Sequence, residues 1–299
     1  MISRRAMLLS PLALAAVPQA GAQAGRMTLA IHQNTSLDAG YRGSLEGWAR
    51  AGIKGAEIVA EHLDEFLKTN SPATARRLFS DLGVTAVSGA SRVNQLWEPH
   101  PGNAAARESF KKRCDVFASV GLTRIYSPTG TTGAFTEDDY KVGADNMRAV
   151  GEIARQSGMM AMVEAVRAST FISTLPTLLR MTRAAAHPNL SPLLDIYHFW
   201  SGLNKLEDLD LIRPGELGHV HFQDVPDIPR ERLDNNTRFI PGDGIAPLTT
   251  ILGKLADKGY SGALSVELFL PRFRQGDPFE VAGEIRRKSE AVMRQARVL

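Results

Sequence analysis

Four side chains able to hold a cation stand at one kind of place in this 299-residue sequence, the end of a short apolar run. Glu164 closes Ala161-Met-Val-Glu164, Asp195 closes Leu193-Leu-Asp195, His221 closes Gly218-His-Val-His221 and Glu267 closes Leu264-Ser-Val-Glu267. Singly, each has an ordinary role, since a carboxylate there caps a loop or pairs with a base and an imidazole makes a structural hydrogen bond. Jointly they say more, because charge that follows apolar runs is drawn toward burial, and buried charge is paired or metal-bound. Three carboxylates and an imidazole, with no thiolate, suit one divalent cation such as Mn²⁺, Mg²⁺ or Co²⁺ better than a structural zinc. Two coordination positions stay open to a substrate with adjacent oxygens. A centre of this kind supports proton removal α to a carbonyl, with the cation stabilising the developing enediolate, one carboxylate taking the proton and a second returning one. Return to the other face epimerises, return to the neighbouring carbon isomerises, and loss of a β-hydroxyl dehydrates.

Such residues must be brought together by the elements that carry them. From Met27 onward, short β-branched runs alternate with longer amphipathic segments, and one phrase recurs at the junctions: a helix end, a glycine, then an apolar run. The glycines at 52, 83, 121 and 158 stand 31, 38 and 37 residues apart, which is βα-unit spacing, and the gap to Gly259 leaves room for two more units. Strands are expected at 28–32, 55–59, 84–88, 124–127, 160–164, 190–195, 219–224 and 263–268. Helical segments lie between them, among them 104–120 with Phe110, Cys114 and Phe117 on one face, and 138–156 with Tyr140, Ala144 and Met147 on one face. Eight units in one chain without a linker predict an α/β fold, a single-domain (β/α)8 TIM barrel, whose strand ends would gather Glu164, Asp195, His221 and Glu267 at one mouth. The run after the first strand, His32-Gln-Asn-Thr-Ser-Leu, has no Gly-rich phosphate loop, which argues against a doubly wound sheet.

Other residues carry weaker signals. His32, ending the first strand, would contact substrate or hold a loop. Glu57 reads as a supporting carboxylate paired with an arginine. His219 and His221 are read as alternating to opposite faces, so that only His221 is a ligand. Trp97, Phe199 and Trp200 could stack on a sugar ring or serve as core. The segment 88–103, with Pro99 and Pro101, has the character of a lid. Cys114 reads as core packing, and one cysteine excludes an internal disulfide and a multi-thiolate metal site.

Charge excludes a partner class. With 35 basic and 32 acidic side chains mixed along the chain, no basic stripe marks a nucleic-acid surface. Residues 1–25 read as a twin-arginine-type signal peptide: Arg4-Arg5, an apolar stretch through Val17, and Ala20-Gly21-Ala22 as a cleavage site. That stretch is too short for a membrane span, so a periplasmic or otherwise exported protein with no stable membrane insertion after cleavage is expected, with the barrel spanning 26–299.

In the order Glu164, Asp195-Ile-Tyr-His198, Gly218-His-Val-His-Phe-Gln-Asp224, Pro241-Gly-Asp-Gly244 and Gly259-Tyr-Ser-Gly-Ala-Leu-Ser-Val-Glu267, the chain resembles the xylose isomerase-like barrel superfamily. The relatives resembled are the sugar phosphate isomerase/epimerase-like group, with its ketose 3-epimerases, hydroxypyruvate isomerase and inosose dehydratase. The resemblance implies that Glu164, Asp195, His221 and Glu267 bind one divalent metal, with Glu164 and Glu267 as acid and base on opposite faces of a sugar. It implies that His198 binds substrate, and an arginine after strand 7 as well, for which Arg230 and Arg232 compete. It also implies a small-molecule sugar as partner and a tendency to form homo-oligomers. Within the fold, a lyase or dehydratase acting on a keto-sugar or keto-glycoside is the second reading. A metal-dependent nuclease lacks the extra early ligands and the basic surface, and a non-catalytic sugar-binding protein would be expected to have lost a ligand. Export favours an unphosphorylated substrate.

Overall fold

A computed structural model of the chain describes residues 26–299; the signal peptide assigned to 1–25 lies outside them. Eight parallel strands close on themselves in sequence order: β1 (Thr28–His32), β2 (Gly55–Val59), β3 (Thr85–Ala90), β4 (Arg124–Pro128), β5 (Met160–Glu164), β6 (Leu190–Asp195), β7 (His219–His221) and β8 (Ala263–Val266). Helices alternate with them: α1 (Gly40–Arg50), α2 (Ala60–Leu67), α3 (Pro72–Leu82), α4 (Asn103–Ser119), α5 (Glu137–Gln156), α6 (Leu175–Ala185), α7 (Ile196–Ser201), α8 (Leu248–Asp257), α9 (Pro271–Arg274) and α10 (Pro278–Gln295). The expected single-domain TIM barrel is the architecture found.

Local chemistry explains the alternation. In α3, Ser71 accepts a hydrogen bond from Thr74 N at the N-cap, Pro72 fills the first turn, and Gly83 ends the helix at φ 61, the left-handed region where a Cβ is costly. The chain then turns back into β3. Between strands and helices lies the main apolar core, to which α4 contributes Phe110, Cys114 and Phe117, all fully buried. Removing either phenylalanine side chain would cost about 3–5 kcal/mol. Among the described residues, no helix is long and apolar enough to cross a membrane.

Inside the barrel, the strands' inward side chains differ in kind with height. Ala90, Tyr126, Met162 and Leu193 form a small interior cluster. Glu57, His219 and His221 are buried there as well. Two strands end earlier than the sequence suggests. β7 stops at His221 because the chain leaves the barrel, and Asp224 forms an antiparallel bridge to Phe239 instead. β8 stops at Val266, so Glu267 is the first residue beyond it.

Candidate active site at the barrel mouth

Each of the four cation-type residues arrives from its own strand. Glu164 is the last residue of β5, Asp195 of β6 and His221 of β7, with Asp195 and His221 partners in register. From His221 Nδ1, Glu164 Oε1 lies at 3.2 Å, Asp195 Oδ2 at 3.4 Å and Glu267 Oε2 at 3.7 Å. One donor atom from each of the four falls within 4.8 Å of the others, and all four residues are buried.

A fifth side chain completes the cluster. Arg238, 2% exposed, donates through Nη1 to Asp195 Oδ2 and to Glu267 Oε2, both at 2.8 Å, and its Nη2 lies 3.0 Å from His198 Nε2. The resemblance implies a substrate-binding arginine at 230 or 232. Both are exposed on a short turn, where Arg230 donates to the Gly202 carbonyl. Arg238 is placed by a long-range device. Phe239 pairs with Asp224 through N–H to O bonds of 2.9 and 3.0 Å, and the Asp224 carboxylate accepts from the backbone N–H of Gly242, Gly244 and Ala246. A Cβ at Gly244 would collide with the Val225 carbonyl and the Asp224 carboxylate, so the Pro241–Gly244 phrase folds tightly against Asp224 and delivers the residue just before Phe239 to the mouth. The signal, an isolated Arg three residues before that glycine-rich turn, was present in the sequence, but its meaning depended on the bridge.

The charges respond to this crowding. Burial, and the nearby Asp195 and Glu267, raise the Glu164 carboxyl to about 7 although His221 pulls it down. Burial would also raise Asp195, but Arg238 and His198 more than offset it and hold that carboxyl well below its usual range. Glu267 is lowered too, with burial overcome by His32 and Arg238. Burial would lower His221, yet Glu57 and Glu164 raise it well above its ordinary value. His198 is pushed down to about 4 by burial, which leaves a neutral ring able to accept from Arg238.

His32 lies at this mouth without reaching the four-residue donor set. Its Nδ1 accepts from Asn34 N at 3.0 Å, and its Nε2 lies 3.0 Å from the Tyr126 hydroxyl and 3.6 Å from Glu267 Oε1. Asn34 and Tyr126 carried no signal in the sequence. Asn34 Nδ2 donates to Glu267 Oε1 at 2.8 Å, while Arg92, itself in the left-handed region at φ 59, donates to Asn34 Oδ1. Glu267 is thereby held from both sides, by Asn34 and by Arg238.

A second group sits against the first. Glu57 Oε2 lies 3.1 Å from His219 Nε2 and 3.2 Å from His221 Nε2. His219 and His221 were expected on opposite faces; both point inward, because residues two apart on a strand share a face. Glu57 therefore pairs with two histidines and not with an arginine. The segment 88–103 is a wall: Leu96 and Trp97 are buried, and Trp97 Nε1 donates to the Ser127 carbonyl at 3.3 Å. Phe199 is core, while Trp200 is half-buried.

Comparison with known proteins gives this arrangement a context. A family profile described as xylose isomerase-like TIM barrel matches residues 45–294. The inosose isomerase of Halalkalibacterium halodurans is 31% identical over 254 residues, covering 83% of this chain and 90% of that protein. The 3-dehydroshikimate dehydratase of Pseudomonas putida is 27% identical over 240 residues, which is 77% of this chain but only 36% of that longer protein. The crystal structure of the IOLI protein with a binding zinc atom superposes with a TM-score of 0.84 at 21% identity, covering 90% of this chain and 99% of that one, a likeness of fold.

Proposed function

The chain belongs to the xylose isomerase-like TIM barrel family, and from that premise we propose that it is a divalent-cation-dependent isomerase or epimerase of an unphosphorylated sugar or keto-sugar. The observation that carries this reading is the meeting of Glu164, Asp195, His221 and Glu267 within 4.8 Å. These residues fit a dication on charge as well as on donor type. Three buried carboxylates repel one another, and the Arg238 guanidinium neutralises one of them, so a dication with a neutral His221 brings the cluster to balance. When bound, the cation supplies a Lewis acid that lowers the cost of negative charge on substrate oxygens. Mn²⁺, Mg²⁺ and Co²⁺ suit the oxygen-rich set, and a relative's fold that holds zinc supports a divalent ion without selecting one.

This chain's own groups do the rest. Glu164 and Glu267 reach the mouth from β5 and the end of β8, flanking a substrate from two sides, so one takes the proton next to the carbonyl and the other returns one. Asn34 and Arg238 fix the Glu267 carboxylate in orientation. Arg238 and His198 bind substrate oxygens. A second reading, a lyase that eliminates water or a glycosidic substituent from the same carbanionic species, is supported by the kinship with a dehydratase. The twin-arginine-type signal at 1–25 would export the folded enzyme to the periplasm, which favours unphosphorylated substrates.

The test is direct. Metal-stripped protein, reloaded with each cation, is given free ketoses, keto-inositols and 3-keto-glycosides while NMR follows the products. A rearranged sugar formed only by the loaded protein is the expected result. A released fragment or loss of water would move the assignment to the lyase, and no conversion with any cation would overturn both.

A further inference from the structure

We propose that the substrate carries a second hydroxyl-bearing ring, and that this ring docks in a cavity beside the mouth with Glu98 as its hydrogen-bond acceptor. The inference rests on the sugar reading above and narrows it to a glycoside.

The cavity, about 540 Å³, lies between the segments that follow β3 and β4. That is room for a sugar ring. Glu98 lines it while only 8% exposed, and among the described residues its carboxyl has no hydrogen bond or ion pair. Only its backbone carbonyl is engaged, by the Asn103 and Asn146 side-chain amides. Its carboxyl oxygens line the cavity and are free to accept, whereas those of Asp195, Glu164 and Glu267 are engaged inside the protein. A ligand hydroxyl entering the cavity can donate to the Glu98 oxygens.

Location links the cavity to the chemistry. Pro128 forms part of its wall and is the register partner of Glu164. Tyr126, two residues earlier, points into the barrel and meets His32, so Pro128 faces the same way at the mouth. The wall is also built to last. Trp97 is buried beneath it, Asn103 Nδ2 holds the Gln95 carbonyl at 2.7 Å, and Gln95 itself is held at φ 59, a conformation that costs about 1 kcal/mol or more outside glycine.

The lining selects a polyol over a cation. Asn94 and Gln95 offer amides that donate and accept, and Thr132 offers a hydroxyl. His100 accepts from Gly102 N through Nδ1, which leaves Nε2 as a donor. Phe135 offers a ring face for the apolar side of a sugar. An ammonium group would satisfy Glu98 and leave these donors without acceptors; hydroxyls, which donate and accept, satisfy both.

The experiment measures binding of glycosides without a free carbonyl to the metal-loaded protein, by titration calorimetry. Methyl α-glucoside is compared with sucrose, trehalose and methyl cellobioside. At least one two-ring sugar is expected to bind about tenfold more tightly than the single ring, and Glu98→Gln is expected to bring that ratio below about threefold. Asn94→Ala gives the same reading should Glu98→Gln fail to fold, as judged by its thermal transition. A wild-type ratio near one, a ratio that survives both substitutions, or Glu98-dependent binding of ethylammonium in place of sugars would overturn the subsite. Because these probes undergo no conversion, failure of the enzymatic reading shows separately, as keto-sugars that never react.

Discussion

In the upper of the two buried polar groups, Glu164, Asp195 and Glu267 crowd around one imidazole and one guanidinium; in the lower, Glu57 alone faces His219 and His221. The two share His221, whose Nδ1 looks up to the carboxylates and whose Nε2 looks toward Glu57. Three carboxylates share one guanidinium and one imidazole above, whereas a single carboxylate faces two imidazoles below. An excess that folding leaves uncompensated is what a cation and a substrate can use, while a matched pair in a closed interior can only orient its neighbours. On the proposed function, the mouth acts and the layer beneath it aims.

Substitution in the upper group should cost most. Glu267→Gln keeps the shape and the bond from Asn34 but removes the proposed base and ligand, so turnover should fall about 10³-fold, with metal retention reduced, as measured by steady-state rates and elemental analysis. A loss under tenfold would mean Glu267 is a bystander.

Next in size is a pH effect at the edge of the upper group. Burial lowers His32 from 6.5 to about 4, so the folded state prefers the neutral ring. The unfolded chain takes up a proton first as pH falls, and the stability from this preference is present above 6.5 and lost on the way down to 4. Relative to His32→Gln, the wild type should lose about 3 kcal/mol between pH 7 and pH 4 in urea titrations. Parallel curves for the two proteins would show that folding leaves the proton affinity of His32 unchanged and would contradict the burial effect.

The lower group is tested by its effect on the upper. Glu57→Gln should weaken metal affinity 10- to 100-fold, as losses of a group that orients a ligand do, whereas His219→Ala, one step further from the carboxylates, should cost less than about threefold. Equal loss in both would make the lower cluster a binding site in its own right. Smallest of all, Arg230→Ala and Arg232→Ala should each change KM less than about twofold. A larger rise would return the substrate-binding role to that turn.

Much of this was legible in the residues. Short apolar runs, helix-ending glycines and regular spacing identified eight units, and four strand-end side chains could be named because their positions follow from strand periodicity. What escaped depends on contacts far apart in sequence. Arg238 reaches the mouth only because Asp224 pairs with Phe239 and gathers the Gly242–Ala246 backbone, which no local pattern states. Glu57 finds histidines 162 and 164 residues away across the barrel interior. The inward direction of His219, by contrast, was available from the strand period and was misjudged.

The claim that the mouth removes a proton next to a carbonyl is tested most directly by solvent deuterium. Metal-loaded wild type, Glu164→Gln and Glu267→Gln are placed in D₂O with a keto-sugar that the wild type converts, and NMR follows the hydrogen α to the carbonyl. Deuterium appearing at that carbon with the wild type, and at least 10²-fold more slowly with either variant, is the predicted result. Conversion by the wild type with no deuterium at that carbon, or exchange equally fast in both variants, would contradict it.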